Sequence, residues 1–180
     1  MPFCIDVKFK LPSVDFDRNL VRGRILKLFT IREDKYARAL EEVAGGKLYS
    51  IVVETEAVGT TLLKRNCFDG REVLIPNNKI ACRDVPRELL DYVGSVTDGK
   101  AVHALSLIKF NLAVENSMKF VFSDCFVCED SETAKKVAFD PRVRMRCVTL
   151  DGDTYNPNGI LSGGNDGEQQ TSILKRVREM

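Results

Sequence analysis

The chain has 180 residues, of which 44% are hydrophobic and 29% charged, as expected for one or two small globular domains. Its formal net charge of +1 excludes an overall polyanion-binding character, so any contact with nucleic acid must come from a local basic patch. No apolar run reaches the roughly 18 residues of a membrane span, and the first residues lack a secretory signal pattern, so we expect no membrane contact. The six cysteines are then expected to be reduced thiols, and the single histidine, His103, leaves few options for Ser–His or Cys–His catalysis.

Strand and helix patterns follow one another along the chain. In order, the first half predicts a strand over residues 3–10, a strand over 21–31, a helix over 35–44, a strand over 48–53, a helix over 55–66, a strand over 72–75 and a helix over 86–93. Asp34 is placed to cap the first of these helices, and the pair Gly45-Gly46 to end it.

The second half continues the alternation. It predicts a strand over residues 102–110, a helix over 113–122, a strand over 125–128, a helix over 131–139, strands over 144–150 and 154–155, and a polar helix over 168–180. A turn at Asp151-Gly152 would join the last two strands. The alternation indicates a mixed α/β (α+β) fold, with a boundary between two lobes near residues 95–100.

Residues 94–101 have the two glycines and the lysine of a P-loop, which would point to a small nucleotide-binding enzyme. The position after Lys100 is Ala101, whereas a P-loop needs a Ser or Thr hydroxyl there to hold magnesium. A helix is also predicted before this segment and a strand after it, so no helix N-terminus would face the phosphates. A turn between lobes explains the pattern better, and the nucleotide-binding enzyme stays as the alternative function.

Two further motifs resemble functional signatures but are better explained as structure. Cys125 and Cys128 have the spacing of a zinc or dithiol site, but the residues between them are large and apolar, so we expect buried structural thiols and no metal. The run Leu161-Ser162-Gly163-Gly164 also occurs in ABC-type ATPases, which need a true P-loop elsewhere. We interpret it as a glycine-rich turn, and we expect no catalytic residue and no cofactor in this chain.

Basic residues form three local clusters that could contact phosphates. Arg142, Arg144 and Arg146 have a spacing of two, so in the predicted strand they would share one face, and Lys135-Lys136 lie shortly before them. Two further clusters lie on another predicted strand and on the last helix. A solvated surface is the simpler explanation for any one cluster alone.

Several segments, taken in their order and spacing, resemble the hinge domains of structural-maintenance-of-chromosomes (SMC) proteins, those of condensin subunits in particular. One is the run Leu74-Ile75-Pro76-Asn77-Asn78, and another is the glycine-rich run that ends at Gly163-Gly164. The resemblance covers most of the chain, and its segments are residues 17–23, 39–49, 52–56, 74–80, 104–107, 120–122, 126–128, 134–140, 148–153 and 156–164.

This resemblance implies a two-lobed SMC hinge that forms one half of a doughnut-shaped dimer, with coiled-coil roots at both ends. The implied segments are an N-terminal strand and arm root over residues 1–16, lobe I over 17–94, an inter-lobe turn over 95–101, lobe II over 102–166, and a C-terminal helical arm root over 167–180. The positions that match the dimer contact of the family are Gly163-Gly164 and the strand that begins at Leu48-Tyr49. Edge strands can add a strand of a partner, and glycine permits close backbone approach.

The function implied by the resemblance is dimerisation with the hinge of the partner condensin SMC subunit, in chromosome condensation and segregation during mitosis. DNA would be contacted weakly and without sequence preference by Lys135, Lys136, Arg142, Arg144 and Arg146. The isolated chain could also form a homodimer. The ATPase heads of the family lie in other parts of a longer protein, so this chain is not expected to be an enzyme. The protein is expected in the nucleus on chromosomes, and in the cytoplasm during part of the cell cycle.

Overall fold

Helices and strands alternate along residues 6–164 and 172–179, which this computed structural model describes, and the predicted mixed α/β class is confirmed. The α-helices of the described residues are α1 (Ala37–Ala44), α2 (Glu56–Lys64), α3 (Arg87–Val96), α4 (Glu115–Phe122), α5 (Ser131–Ala138) and α6 (Ile173–Glu179). The strands are β1 (Val21–Arg24), β2 (Phe29–Ile31), β3 (Ile51–Val53), β4 (Leu74–Pro76), β5 (Ala101–His103), β6 (Ile108–Phe110), β7 (Cys125–Cys128), β8 (Arg146–Thr149), β9 (Thr154–Tyr155) and β10 (Leu161–Ser162).

The strands form three sheets. A three-stranded sheet has the order β1-β3-β4, and a five-stranded sheet has the order β10-β9-β8-β7-β5. Each of these sheets contains one parallel pair, β3 with β4 and β7 with β8. The third sheet is the antiparallel pair β2–β6, which joins a strand of predicted lobe I to a strand of predicted lobe II.

Burial explains which segments become strands. All three residues of β3 and all four residues of β7 are buried, as expected for strands that are covered on both faces. The helices that follow them begin at side-chain caps. Thr55 accepts a hydrogen bond from the amide of Val58 (3.3 Å) at the start of α2, and Asp130 accepts one from the amide of Thr133 (2.7 Å) at the start of α5.

Two predicted strands are each divided into shorter strands by a buried 3-10 turn. The segment predicted as one strand over residues 21–31 is divided by a turn at Ile25–Lys27, and the segment over 102–110 is divided by a turn at Ala104–Leu107. Ile25 is fully buried although it lies outside any strand. The apolar pattern therefore predicts the burial of these segments correctly, but the extended backbone predicted for them is wrong.

Further differences concern the chain ends and the first helix. Residues 6–10 do not form the predicted strand, and residues 3–5 lie outside the described residues. Asp34 does not cap α1; it begins a 3-10 turn (Asp34–Tyr36) and pairs with Arg178 of α6. The C-terminal helix is present as α6, and residues 168–171 of the prediction lie outside the described residues.

A polar joint connects the end of β4 to the start of α4. The Asn77 side-chain amide donates to the carbonyl of Ala113 (2.9 Å), and its oxygen accepts from the amide (3.1 Å) and the hydroxyl (2.8 Å) of Ser117. Ser117 is fully buried, and Val114, the residue that precedes α4, has no side-chain cap of its own. Asn77 therefore supplies from another element the cap that α4 lacks.

Helix α6 is held at one end by α1 and at the other by the 3-10 turn that precedes α1. The Glu41 carboxylate accepts a hydrogen bond from the amide of Leu174 (2.8 Å) and another from the hydroxyl of Ser172, and thereby caps the first turn of α6. Leu174 is 6% exposed and belongs to the main core. At the other end of α6, Arg178 pairs with Asp34, so the helix is fixed at both ends.

We predict that Asn77→Ala destabilises the fold by about 1–3 kcal/mol, because it leaves the buried hydroxyl and amide of Ser117 without their acceptor. Chemical denaturation of the isolated chain would measure this change. Asn19→Ala, at an exposed position, is the matched control and should be close to neutral. Equal stabilities of the two variants would contradict the role given to this joint.

We also predict that Glu41→Ala loosens α6. The loss of a helix cap costs about 0.5–2 kcal/mol, so the amides of α6 should exchange with solvent roughly two- to thirtyfold faster in hydrogen-exchange mass spectrometry. Glu42→Ala changes an exposed neighbour on the same helix and should leave the exchange of α6 unchanged. The same exchange rate in both variants would show that Glu41 does not hold the helix.

Candidate association site

The five-stranded sheet ends in an open edge at β10. Leu161 pairs with Tyr155 and Ser162 with Thr154, and no other described strand pairs with β10. One side of this strand therefore presents backbone amides and carbonyls that a strand of another chain can pair with.

Two apolar side chains lie exposed at this edge. Ile160 is 60% exposed and Leu161 is 59% exposed. A turn at residues 157–159 precedes them and closes the β9–β10 hairpin, with the amide of Asn156 donating to the carbonyl of Ile160 (3.0 Å). Exposed apolar side chains beside an unpaired strand edge are the features that a partner chain would cover.

Gly163 and Gly164 continue directly from β10, and the structure gives each a separate physical reason to be glycine. A Cβ built on Gly163 would lie 2.1 Å from Oδ1 of Asp153. Gly164 has a φ of +142°, which L side chains rarely adopt, although nothing lies within 4 Å of its Cβ position. The sequence singled out the glycine pair but not its neighbours Ile160, Leu161 and Asp153, and the role of the pair in a dimer stays a prediction. The closeness of Gly163 to Asp153 becomes visible only in the β9–β10 register.

The prediction that Leu48 and Tyr49 begin an edge strand is wrong. Both residues lie in a 3-10 turn (Gly45–Tyr49), and the strand that follows, β3, is the central strand of its sheet. Leu48 is 3% exposed, and the carbonyl of Tyr49 accepts a hydrogen bond from Arg24 (2.6 Å). Leu48 is thus part of the core, and a direct role of these two residues in a dimer stays a prediction.

The outer strands of the three-stranded sheet are β1 and β4. Val73, directly before β4, is 62% exposed, and Leu63 near the end of the neighbouring helix α2 is 51% exposed. The edge at β4 therefore has the same combination of an outer strand and exposed apolar side chains as the edge at β10.

The three arginines with a spacing of two do not share a strand face. Strand β8 begins only at Arg146, and Arg144 has a φ of +44°, which breaks the extended geometry that the prediction required. The guanidinium of Arg146 turns inward, donates to the carbonyl of Val43 (2.8 Å) and lies 3.8 Å from Asp124. Arg142 and Arg144 remain exposed in the loop before β8.

Lys135 and Lys136 are exposed on α5, close in sequence to that loop. Lys135 pairs with Glu132 (3.1 Å), and the ammonium of Lys136 donates to the carbonyl of Val96 (2.7 Å). The guanidinium of Arg142 stacks over the ring of Tyr92, 5.3 Å from its centre. These contacts position the cations on the surface of lobe II and leave DNA binding by them as a prediction.

The P-loop-like segment is the predicted turn. Helix α3 ends at Val96, the turn follows, and β5 begins at Ala101, so the order is helix, turn and strand. Lys100 lies 3.9 Å from Asp130, the residue that caps α5. A helix N-terminus that could receive a phosphate is not formed by this segment.

The cysteines of the five-stranded sheet are buried thiols. Cys125 and Cys128 lie on β7, and Cys147 lies on β8. Burial raises the pKa of Cys125 to about 12, and a hydrogen bond with Cys128 together with burial raises the pKa of Cys147. Both groups are thus held as protonated thiols, which favours a packing role over metal binding or nucleophilic chemistry.

The two ends of the described chain meet at one turn. Asp6 pairs with Lys27, and α6 contacts the same turn, Ile25–Lys27. No helix in the described ranges, 6–164 and 172–179, is long and apolar enough to cross a membrane.

Comparisons with known proteins agree with this geometry. The profile of the SMC proteins flexible hinge domain matches residues 18–138. The chain is 40% identical over 173 residues to structural maintenance of chromosomes protein 2 of Homo sapiens and 36% identical over 172 residues to the protein of the same name from Saccharomyces cerevisiae. These matches cover 96% and 94% of this chain but only 14% and 15% of the two relatives.

Among solved structures, an asymmetric dimer of the Geobacillus stearothermophilus SMC hinge domain is similar, with a TM-score of 0.72 and 27% identity. The match covers 90% of this chain and 66% of that chain. The Pyrococcus furiosus SMC hinge domain shares the fold, with a TM-score of 0.65 at 22% identity, over 90% of this chain and 87% of that one. The chain belongs to the SMC hinge domain family.

Proposed function

We propose that this chain is the hinge dimerisation domain of a condensin SMC subunit, and that it pairs with the hinge of the partner SMC subunit through β10. The observation that carries the proposal is the open edge of β10 with Ile160 and Leu161 exposed beside it. The asymmetric dimer of the Geobacillus stearothermophilus hinge supports association through this fold. The similarity to structural maintenance of chromosomes protein 2 from two organisms supports the subunit type.

A second contact at β4 would close the dimer into a ring. The two outer strands β4 and β10 belong to different sheets, one in each predicted lobe. If β10 of each hinge meets β4 of the other, the dimer has two contacts with an opening between them. This arrangement accounts for the doughnut shape that the family resemblance implies, and the same edges would serve a homodimer of the isolated chain.

The function proposed for the chain is association and not catalysis. In the full-length protein, ATP hydrolysis would belong to head domains outside the matched hinge region, and the hinge would link two such chains on chromosomes in the nucleus, or in the cytoplasm for part of the cell cycle. The structure of the P-loop-like segment does not favour the alternative, a nucleotide-binding enzyme, because a strand follows Lys100 where a helix is needed.

DNA contact is a second proposed function of the same domain. Four of the five cations proposed for it, Lys135, Lys136, Arg142 and Arg144, are exposed in one stretch of lobe II. Arg146 is the fifth, but its half-buried guanidinium already bonds to Val43, so it would support the loop more than it contacts phosphate. Contacts of this kind would be sensitive to salt and blind to sequence.

We predict that Leu161→Asp weakens binding to the partner hinge by at least about tenfold, because a carboxylate would be buried at the strand contact. Calorimetric titration, with light scattering after size exclusion, would measure the affinity and the stoichiometry. Leu112→Asp is the matched control, since Leu112 is 76% exposed outside the β10 edge, and it should leave the affinity unchanged. Equal affinities of the two variants would remove β10 from the interface.

For DNA, we predict that changing Lys136, Arg142 and Arg144 together to Ala weakens binding equally for all sequences. The dependence of the logarithm of the binding constant on the logarithm of salt concentration should become shallower, by about 0.9 for each contact with a duplex phosphate. A triple variant of Lys64, Arg71 and Lys109, also exposed, removes the same charge and is the control. If both triple variants behave alike, overall charge and not this patch governs the binding.

A further inference from the structure

We propose that Gly163 must be glycine because of Asp153 of the same chain, and not because the partner strand approaches it. Asp153 is then a positioning residue, which sets the path of the chain at the edge strand β10. The inference rests on the association function proposed above, and it concerns what fixes the shape of the surface that associates.

The register of the β9–β10 hairpin brings the two residues together. Ser162 faces Thr154, so the next positions, Gly163 and Asp153, face each other by continuation of the same register. Facing residues of antiparallel strands have their Cβ atoms about 4.5–5.5 Å apart. A Cβ built on Gly163 would lie only 3.2 Å from the Cβ of Asp153 and 2.8 Å from its Cγ. The segment before β9 and the segment after β10 are therefore unusually close at this pair, which lies just beyond the last paired residues of the hairpin.

The backbone of Asp153 cannot move away from Gly163 without breaking hydrogen bonds. Its amide donates to the hydroxyl of Thr149 (3.1 Å), and its carbonyl accepts from the amide of Thr149 (2.9 Å). Thr149 is 2% exposed, and its carbonyl also accepts from the amide of Gly152 (2.9 Å). The backbone of Asp153 is thus fixed by a buried residue. A methyl group at position 163 must displace either the carboxylate from its rotamer or the edge strand from its sheet.

Gly164 requires glycine for a different reason from Gly163 and therefore serves as a control. Nothing lies within 4 Å of its Cβ position, and its requirement for glycine comes from its φ of +142° alone. A smaller residue at position 153 should therefore relieve a substitution at Gly163 and have no effect on the same substitution at Gly164. If instead the partner backbone required both glycines, position 153 would matter for neither.

The experiment compares G163A, G164A, D153A, D153A/G163A, D153N/G163A and D153A/G164A by thermal unfolding of the isolated chain and by titration with the partner hinge. We expect G163A to lower the melting temperature and to weaken association by about tenfold. D153A/G163A should recover most of both losses relative to D153A, because it removes the contacts with Oδ1 and Cγ and leaves only the 3.2 Å contact between the two Cβ atoms. D153N/G163A should not, because the amide is as large as the carboxylate, and D153A/G164A should stay as defective as G164A.

Two results would overturn the inference: a G163A chain that is as stable as the parent when isolated, or a D153A/G163A chain that is as defective as G163A in both measurements. Rescue by D153N would also count against it, because it would show that charge and not size is the cause. The proposed association function is tested separately. If the parent chain binds no partner hinge, that function fails, while the unfolding measurements still decide the role of Asp153.

Discussion

The hydrogen bonds of Asn77 are the constraint that links a segment of predicted lobe I, the end of β4, to a segment of predicted lobe II, the start of α4. By capping α4 from the end of β4, Asn77 fixes where that helix begins, and the buried face of α4 then lies in the centre of the main core. Phe122 of α4 is fully buried and packs edge-on against Phe29 of β2, with ring centres 5.0 Å apart. Polar bonds thus set the position, and apolar packing between the lobes supplies the stability.

Where local interactions determine an element, its type and approximate bounds could be predicted from the sequence. Helices α2 and α5 were predicted within a few residues because Thr55 and Asp130 cap them, and β7 because four buried residues follow one another. Where tertiary packing decides, the sequence was ambiguous. A buried 3-10 turn such as Ile25–Lys27 has the same apolar composition as a strand, so the pattern predicts burial but not the backbone path.

The association site was predictable only in part, for a related reason. The run that ends at Gly163-Gly164 was singled out from the sequence, but the exposure of its apolar neighbours depends on β10 being an outer strand, which is a property of the whole sheet. Leu48 was misplaced because its apolar run serves the core before β3 begins. The prediction that Arg142, Arg144 and Arg146 share one strand face was wrong, because it requires an extended backbone and Arg144 has a left-handed backbone conformation.

The meeting of both chain ends at the turn Ile25–Lys27 has a mechanical consequence. A force that pulls the N-terminal segment and α6 apart would act on the Asp6–Lys27 pair and on the contacts of α6 with this turn and with α1. Strand β10 comes directly before α6 in the order of elements, so once these contacts of α6 are broken the pull passes along the chain to this outer strand. The contacts of α6 with α1 and with the turn Ile25–Lys27 therefore shield β10, because a pull on the C-terminal helix reaches this strand only after those contacts have broken.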